Sequence, residues 1–268
     1  MPIRLSCPTQ PAVARLADLR ARLWPMDSEA IVNQIEIDGR RLIEVARSDL
    51  GAAVPTCGDW TLRDLAGHMG WVHGLVGSYV AGRATEPLGR EQMPQVPDDD
   101  SAVDFAADAL DRLVDALAGI DPDTPVWNWS PRPDAGFYFR RMLHETSVHR
   151  WDAENSVGET GPVDGEQGRD GVDEFFEFVL PNAQKRKRRD LPEGSVHLHR
   201  TDGVGEWIVH ADGDEVVMER AHVKGDAAVR GPGGALFLAM WNRLPLDDPS
   251  LSVVGDEATA QAWAALAP

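Results

Sequence analysis

The 268 residues include only two cysteines, Cys7 and Cys57, two tyrosines and three lysines. Two cysteines build no disulfide framework and fit a reducing cytoplasm. Long apolar runs are missing as well, so nothing approaches the roughly 18 consecutive apolar residues of a membrane span. The N-terminus lacks an apolar segment ahead of a small-residue cleavage site, which excludes a signal peptide from the reading. Basic charge is scarce: 26 Lys and Arg stand against 44 Asp and Glu, a net charge of −18. That balance argues against nucleic acid or an anionic membrane as a partner. What is present is a globular composition, 43% hydrophobic, in a chain long for one domain and comfortable for two.

Residues 1–26 carry Pro2, Pro8, Pro11 and Pro25 around a short apolar stretch and are expected to form a poorly ordered leader. From Ser28 the pattern changes. Ile31, Ile35, Leu42, Ile43, Val45 and Ala46 recur at helical spacing to about Leu50. A second helix is expected over 61–82, capped by Asp59 or Thr61, a third over 102–119 behind Ser101, and a fourth over 136–155. Four amphipathic helices in succession predict a four-helix bundle over 27–160. After residue 190 the runs SVHLHRT, GEWIVHA, DEVVMER and HVKGDAAVRG are short and partly alternating, separated by TDG and DGD. They predict antiparallel strands and hairpins. With helices at PGGALFLAMWNR and EATAQAWAALA and a strand at SLSVVGD, residues 192–268 read as a small α+β domain. Between the two lies 161–191, a connecting helix at 165–180 followed by the basic run KRKRR.

The stretch MLHETSVHRWDAE, residues 142–154, looks at first like the HExxH helix of a zinc protease. The spacing excludes it. His144 and His149 are five apart, and at about 100° per residue they leave the helix roughly 140° apart. Glu145 and His149 are the i, i+4 pair, on one face. Bundles assemble metal sites from facing helices, and the second helix offers Asp64, His68 and His73. His68, Glu145 and His149 together would make a two-histidine, one-carboxylate site with a fourth position left for water or substrate, as catalytic zinc requires. A lone Glu/His pair of this spacing is commonly a surface hydrogen-bonded pair, and a lone histidine in LAGHMGW is commonly a satisfied core residue.

VPTCGDWTLRDLAGHMGWVH followed by HETSVHRWDAE resembles the mycothiol-dependent maleylpyruvate isomerase family, over about 28–268. The resemblance implies a DinB-like bundle joined to a sterol-carrier-like α+β domain. It implies His68, Glu145 and His149 as ligands of zinc or another divalent metal, and mycothiol as thiol cosubstrate. Two departures stand out: the Cys-Pro-Gly-Trp turn reads Cys-Gly-Asp-Trp from Cys57 to Trp60, and the late Gly-Arg pair reads Asn242-Arg243. The family's substrate-holding arginine has candidates in Arg220, Arg230 and Arg243, of which Arg243 leads.

An open zinc lowers the pKa of a bound thiol, making a nucleophile for an electrophilic carbon. The expected activity is therefore isomerisation or S-transfer on a small acidic or electrophilic compound, by a monomeric enzyme. Competing readings are a metal-dependent hydrolase, a transferase using another thiol, or a non-enzymatic ligand-binding protein whose metal is closed by a fourth ligand such as Asp64. Asp152 either orients a metal ligand or serves as a cap. His144 is expected at the core or rim, and Trp60, Trp71 and Trp151 in bundle packing. Trp127 and Trp129 either line a pocket or pin their loop. Cys57 reads as a structural thiol and KRKRR as a solvated loop, with contact to an anionic substrate left open. His197 and His199, alternating on one face of an expected strand, are weak candidates for a second metal site.

Overall fold

The first helix, α1 (Ser28–Ser48), turns Ile31, Ile35, Leu42 and Ala46 inward at helical spacing, and all four are buried. In the computed structural model, described for residues 27–267, it packs in a bundle with α2 (Leu62–Ala81), α3 (Ala102–Ala118) and α4 (Ala135–Val157). The expected leader, 1–26, lies outside the described residues. Thr61, one of the two expected caps, starts α2 through a reciprocal capping box with Asp64. Gly70 lets α2 and α3 approach closely: a Cβ there would stand 2.5 Å from the Phe105 ring. Asp134 caps α4 by accepting from Phe137 N, and Gly158, left-handed at φ 74°, ends it.

Helix α4 is buried on nearly every side. Phe139, Leu143 and Ala153 join the bundle core, while Val148 and Trp151 join a second core made with the C-terminal half. Polar side chains that a surface helix would expose, such as Arg140, Arg141, His144 and Asp152, are therefore enclosed and must find partners.

The second core begins earlier than expected. α5 (Gly165–Glu174) runs through a π-helical segment (Phe175–Val179) into α6 (Leu180–Arg186). Val172, Phe175, Phe176 and Leu180 sit in the second core, so much of the stretch expected as a connector is structural. The helix also reaches Arg186, past the expected end at 180. At Gly168 a Cβ would stand 2.4 Å from the backbone of Gly233 and Gly234, so only glycine admits this approach.

Five strands follow: β1 (Val196–Arg200), β2 (Glu206–Asp212), β3 (Glu215–Glu219), β4 (Ala227–Gly231) and β5 (Ser252–Gly255). The sheet order is β3-β2-β1-β4-β5. It is mixed rather than antiparallel throughout, because β1 and β4 pair in parallel from Val196↔Ala227 to Arg200↔Gly231. The long return from β3 to β4 that this pairing needs has no hairpin signal of its own. α7 (Gly233–Met240) and α8 (Glu257–Ala264) lie against β1 and β4, with Trp207 and Trp263 buried in the core they enclose. Among the described residues, no helix is long and apolar enough to cross a membrane.

Candidate metal centre

Helix α2 supplies His68 and helix α4 supplies Glu145 and His149, one turn apart on the same face. The structure brings the three together. His68 Nε2 and His149 Nε2 each lie 3.4 Å from the same carboxylate oxygen, Glu145 Oε1. The two imidazoles meet edge to face, with ring centroids 4.9 Å apart. Two ligand atoms each about 2.1 Å from a tetrahedral zinc stand about 3.4 Å apart, so these separations and the nitrogen–oxygen donor set fit that ion. His68, Glu145 and His149 would hold it.

The other Glu145 oxygen is taken by Arg141, which also binds the fully buried Glu174 and lies over the Trp241 ring at 5.2 Å. Oε1 is thereby left to face the histidines. Burial opposes ionisation of Glu145, yet the Arg141 charge and hydrogen bonds from His149 and His68 hold its carboxyl well below the usual range. Burial likewise opposes a charge on His149, but Asp152, Cys57 and Glu145 together raise its pKa well above the ordinary value.

Asp152 lies behind His149, fully buried, and accepts from His149 Nδ1 at 2.9 Å. It also accepts from Thr56 Oγ1 at 2.6 Å, from Cys57 Sγ at 3.4 Å and from Arg243 Nε at 3.1 Å. Burial would raise the Asp152 pKa, but the His149 hydrogen bond and charge, followed by Arg243, lower it to about 2. Cys57, His149 and Asp152 are also close enough together to share an ion. With four donors already on Asp152, its geometry suits orienting His149 better than binding an ion itself.

Of the three candidate arginines, Arg243 reaches this site. It follows α7, with Nη1 donating to Trp241 O and Nη2 3.8 Å from Cys57 Sγ. Arg220 is bound to Asp173 and Glu177, and Arg230 is exposed on β4. Asp64, the candidate closing ligand, is committed to the α2 cap, accepting from Thr61 N and Oγ1. His144 is enclosed against Asp170 and Phe237, away from the trio.

The trio opens on a cavity of about 870 Å³ between the two cores, with Trp60, Trp129 and Trp241 in its walls. Trp60 lies 5.1 Å from the His68 ring, a site position and not just packing, whereas Trp71, expected inside the bundle, is on the surface. Trp151 packs in the second core, and Trp127 stacks on Tyr79. Residues that sequence reasoning underrated also line this cavity. Cys57 is half-buried beside Asp152, and Arg186, Lys187 and Arg189 bring the basic run to the cavity wall. Arg189 is fixed there by donating to Leu266 O and Ala267 O, while Arg186 and Lys187 have no ion pair among the described residues. Their clustering in a chain so acidic was the available signal.

A helical bundle carrying a two-histidine, one-carboxylate trio, closed by a mixed-sheet domain, defines the class. Residues 32–154 match the mycothiol maleylpyruvate isomerase N-terminal domain, and residues 166–262 match the C-terminal domain of the same family. The chain belongs to the mycothiol-dependent maleylpyruvate isomerase family. A crystal structure of the mycothiol-dependent maleylpyruvate isomerase superposes with a TM-score of 0.53 over 85% of this chain and 93% of that one. The two are 10% identical, so this likeness speaks to the fold. No curated protein sequence matches the chain significantly.

Proposed function

We propose that the protein is a zinc-dependent, mycothiol-using enzyme that isomerises a small acidic substrate or transfers the thiol sulfur to it. The observation that carries this reading is the convergence of His68, His149 and Glu145 Oε1 on one point of a cavity with cationic walls. Zinc held there would act as a Lewis acid, lowering the pKa of a thiol so that the nucleophilic thiolate forms near neutral pH.

The chain's own residues do the rest. Arg141 holds Glu145 so that a single oxygen points at the trio. Asp152 accepts a hydrogen bond from His149 Nδ1–H, which leaves Nε2 directed at Glu145 and the cavity. Arg243, Arg186 and Lys187 offer positive charge to the carboxylates of an acidic substrate. Trp60, Trp129 and Trp241 shield the reacting carbon from water. With the substrate anchored through its carboxylates, a thiol can add to an activated alkene, rotation can follow, and loss of the thiol returns the isomer. Retention of the adduct would instead be S-transfer. Maleylpyruvate is the first substrate to try.

The test pairs elemental analysis with calorimetric titration of mycothiol into wild type and a Glu145→Ala/His149→Ala variant. The variant should lose one equivalent of zinc and all thiol binding while wild type binds the thiol. Equal zinc in the two proteins, or thiol binding that survives the substitutions, would sink the proposal.

A further inference from the structure

Strand β1 alternates Val196, Leu198 and Arg200 on one face with His197 and His199 on the other. In the antiparallel register His199 stands opposite Glu206 on β2 and His197 opposite Ile208, so Glu206 shares the histidine face. The sheet order places β2 and β1 between β3 and β4, so the connection over residues 220–226 must pass across both. That crossover brings in His222. Its two ends are held: Arg220 pairs with Asp173 and Glu177, and at Gly225 a Cβ would stand 3.0 Å from His197 N.

One carboxylate therefore sits among three imidazoles. His199 Nδ1 and His222 Nδ1 lie 2.6 and 2.9 Å from Glu206 Oε1, and His197 Nε2 lies 2.7 Å from Oε2. The three rings meet edge to face, with centroids 5.4 to 6.1 Å apart. By distance alone the last contact is an ion pair. Its direction is wrong for a hydrogen bond, however, and both His197 Nε2 and Glu206 Oε2 are buried without a hydrogen-bond partner. The misaligned contact leaves both atoms short of the partner that burial demands. His197, 7% exposed, aims an unsatisfied nitrogen into this cluster.

We propose that His197, His199, Glu206 and His222 form a second metal site, for zinc or a similar borderline divalent cation. Three imidazoles favour zinc, copper, iron or nickel over magnesium or calcium. An ion would spread these ligand atoms from 2.6–2.9 Å to the roughly 3.4 Å of a tetrahedral shell, and four protein ligands would then leave no position for substrate, making this a structural site, unlike the three-ligand centre in the bundle. The ion clips the β3–β4 crossover to β1 and β2, and the exposed His222 gives it an entry path.

The test uses the full chain free of any histidine tag, stripped with chelator and titrated with Zn²⁺. Wild type should bind two equivalents, and Glu145→Ala/His149→Ala one. His199→Ala/His222→Ala should also bind one, with affinity at the lost site down by more than about 100-fold, beyond what losing a mere orienting partner costs. In the bundle-site variant, one equivalent of Co²⁺ should give the visible absorption of a four-coordinate nitrogen–oxygen site, and His222→Ala alone should weaken it. His222 is at the surface, so this single variant keeps its fold. A second equivalent that survives His199→Ala/His222→Ala, or a Glu145→Ala/His149→Ala variant that binds none, would overturn the inference. Because the two sites are removed by separate variants, failure here leaves the bundle site untouched, and the reverse holds.

Discussion

Asp152 gathers a histidine, a threonine, a cysteine and an arginine on two buried oxygens, drawn from the turn before α2, from α4 and from the segment after α7. In the proposed metal site its part would be to fix the His149 ring, so Asp152→Asn should weaken zinc binding there about 10–100-fold. Competition with a chelator checks this, alongside a melting curve. Lost stability with unchanged zinc affinity would reduce Asp152 to a packing role. His73, five residues beyond His68 on α2, behaves differently. It is buried against Thr146, with Nε2 and Oγ1 2.9 Å apart, and burial, reinforced by His149 and His68 against the opposing pull of Glu145, lowers its pKa to about 3. The folded state then binds fewer protons than the unfolded state between about pH 6.5 and 3. Stability must therefore fall as pH falls through that window, with the His73 share amounting to a few kcal/mol and fully retained only above it. His73→Gln should flatten this slope. Urea denaturation of chelator-stripped wild type and variant at pH 7 and pH 4.5 reads the difference, and equal slopes would show that another group carries it.

At the level of elements, the first three helices were legible because each presents an apolar stripe at helical period. The trio was legible because Glu145 and His149 share a helical face and His68 lies in a motif that resembles a known family. Helix α4 was harder. It is enclosed by two cores, so Arg140, Arg141 and His144 are inside, and an arginine four residues before a glutamate normally reads as an exposed pair. The long helix from Gly165 to Arg186 was cut short for a different reason. Pro181 has no N–H and would crowd the carbonyl four residues back. The π segment just before it absorbs the conflict: Leu180 N donates to Phe175 O, five residues back, so the helix continues past the proline. That continuation brings Asn182, Ala183 and Arg186 to the cavity. The parallel pairing of β1 with β4 and the approach of His222 to Glu206 depend on a crossover with neither periodicity nor a turn signature, so no local pattern foretold them.

At the scale of the whole molecule, a net charge of −18 repels anions at long range, while the cavity gathers Arg141, Arg243, Arg186, Lys187 and Arg189. An acidic substrate would be drawn only within the reach of that local positive field, which salt shortens from about 10 Å at 0.1 M to about 3 Å at 1 M. Arg186 and Lys187 are exposed on the wall of the cavity and unpaired among the described residues, and neither touches the trio. Reversing both, Arg186→Glu/Lys187→Glu, should raise the KM for an anionic substrate such as maleylpyruvate by about 10-fold or more at low salt. It should leave kcat nearly unchanged, because the groups that would hold metal and orient His149 are intact. Steady-state kinetics across ionic strength checks both halves of the argument. The penalty should shrink as salt rises, since screening removes the attraction in wild type and the repulsion in the variant alike. A penalty independent of salt would mean that these side chains hold the substrate by direct hydrogen bonds. An unchanged KM would mean that the acidic end of the substrate is bound elsewhere, with Arg243 the first cation to test next.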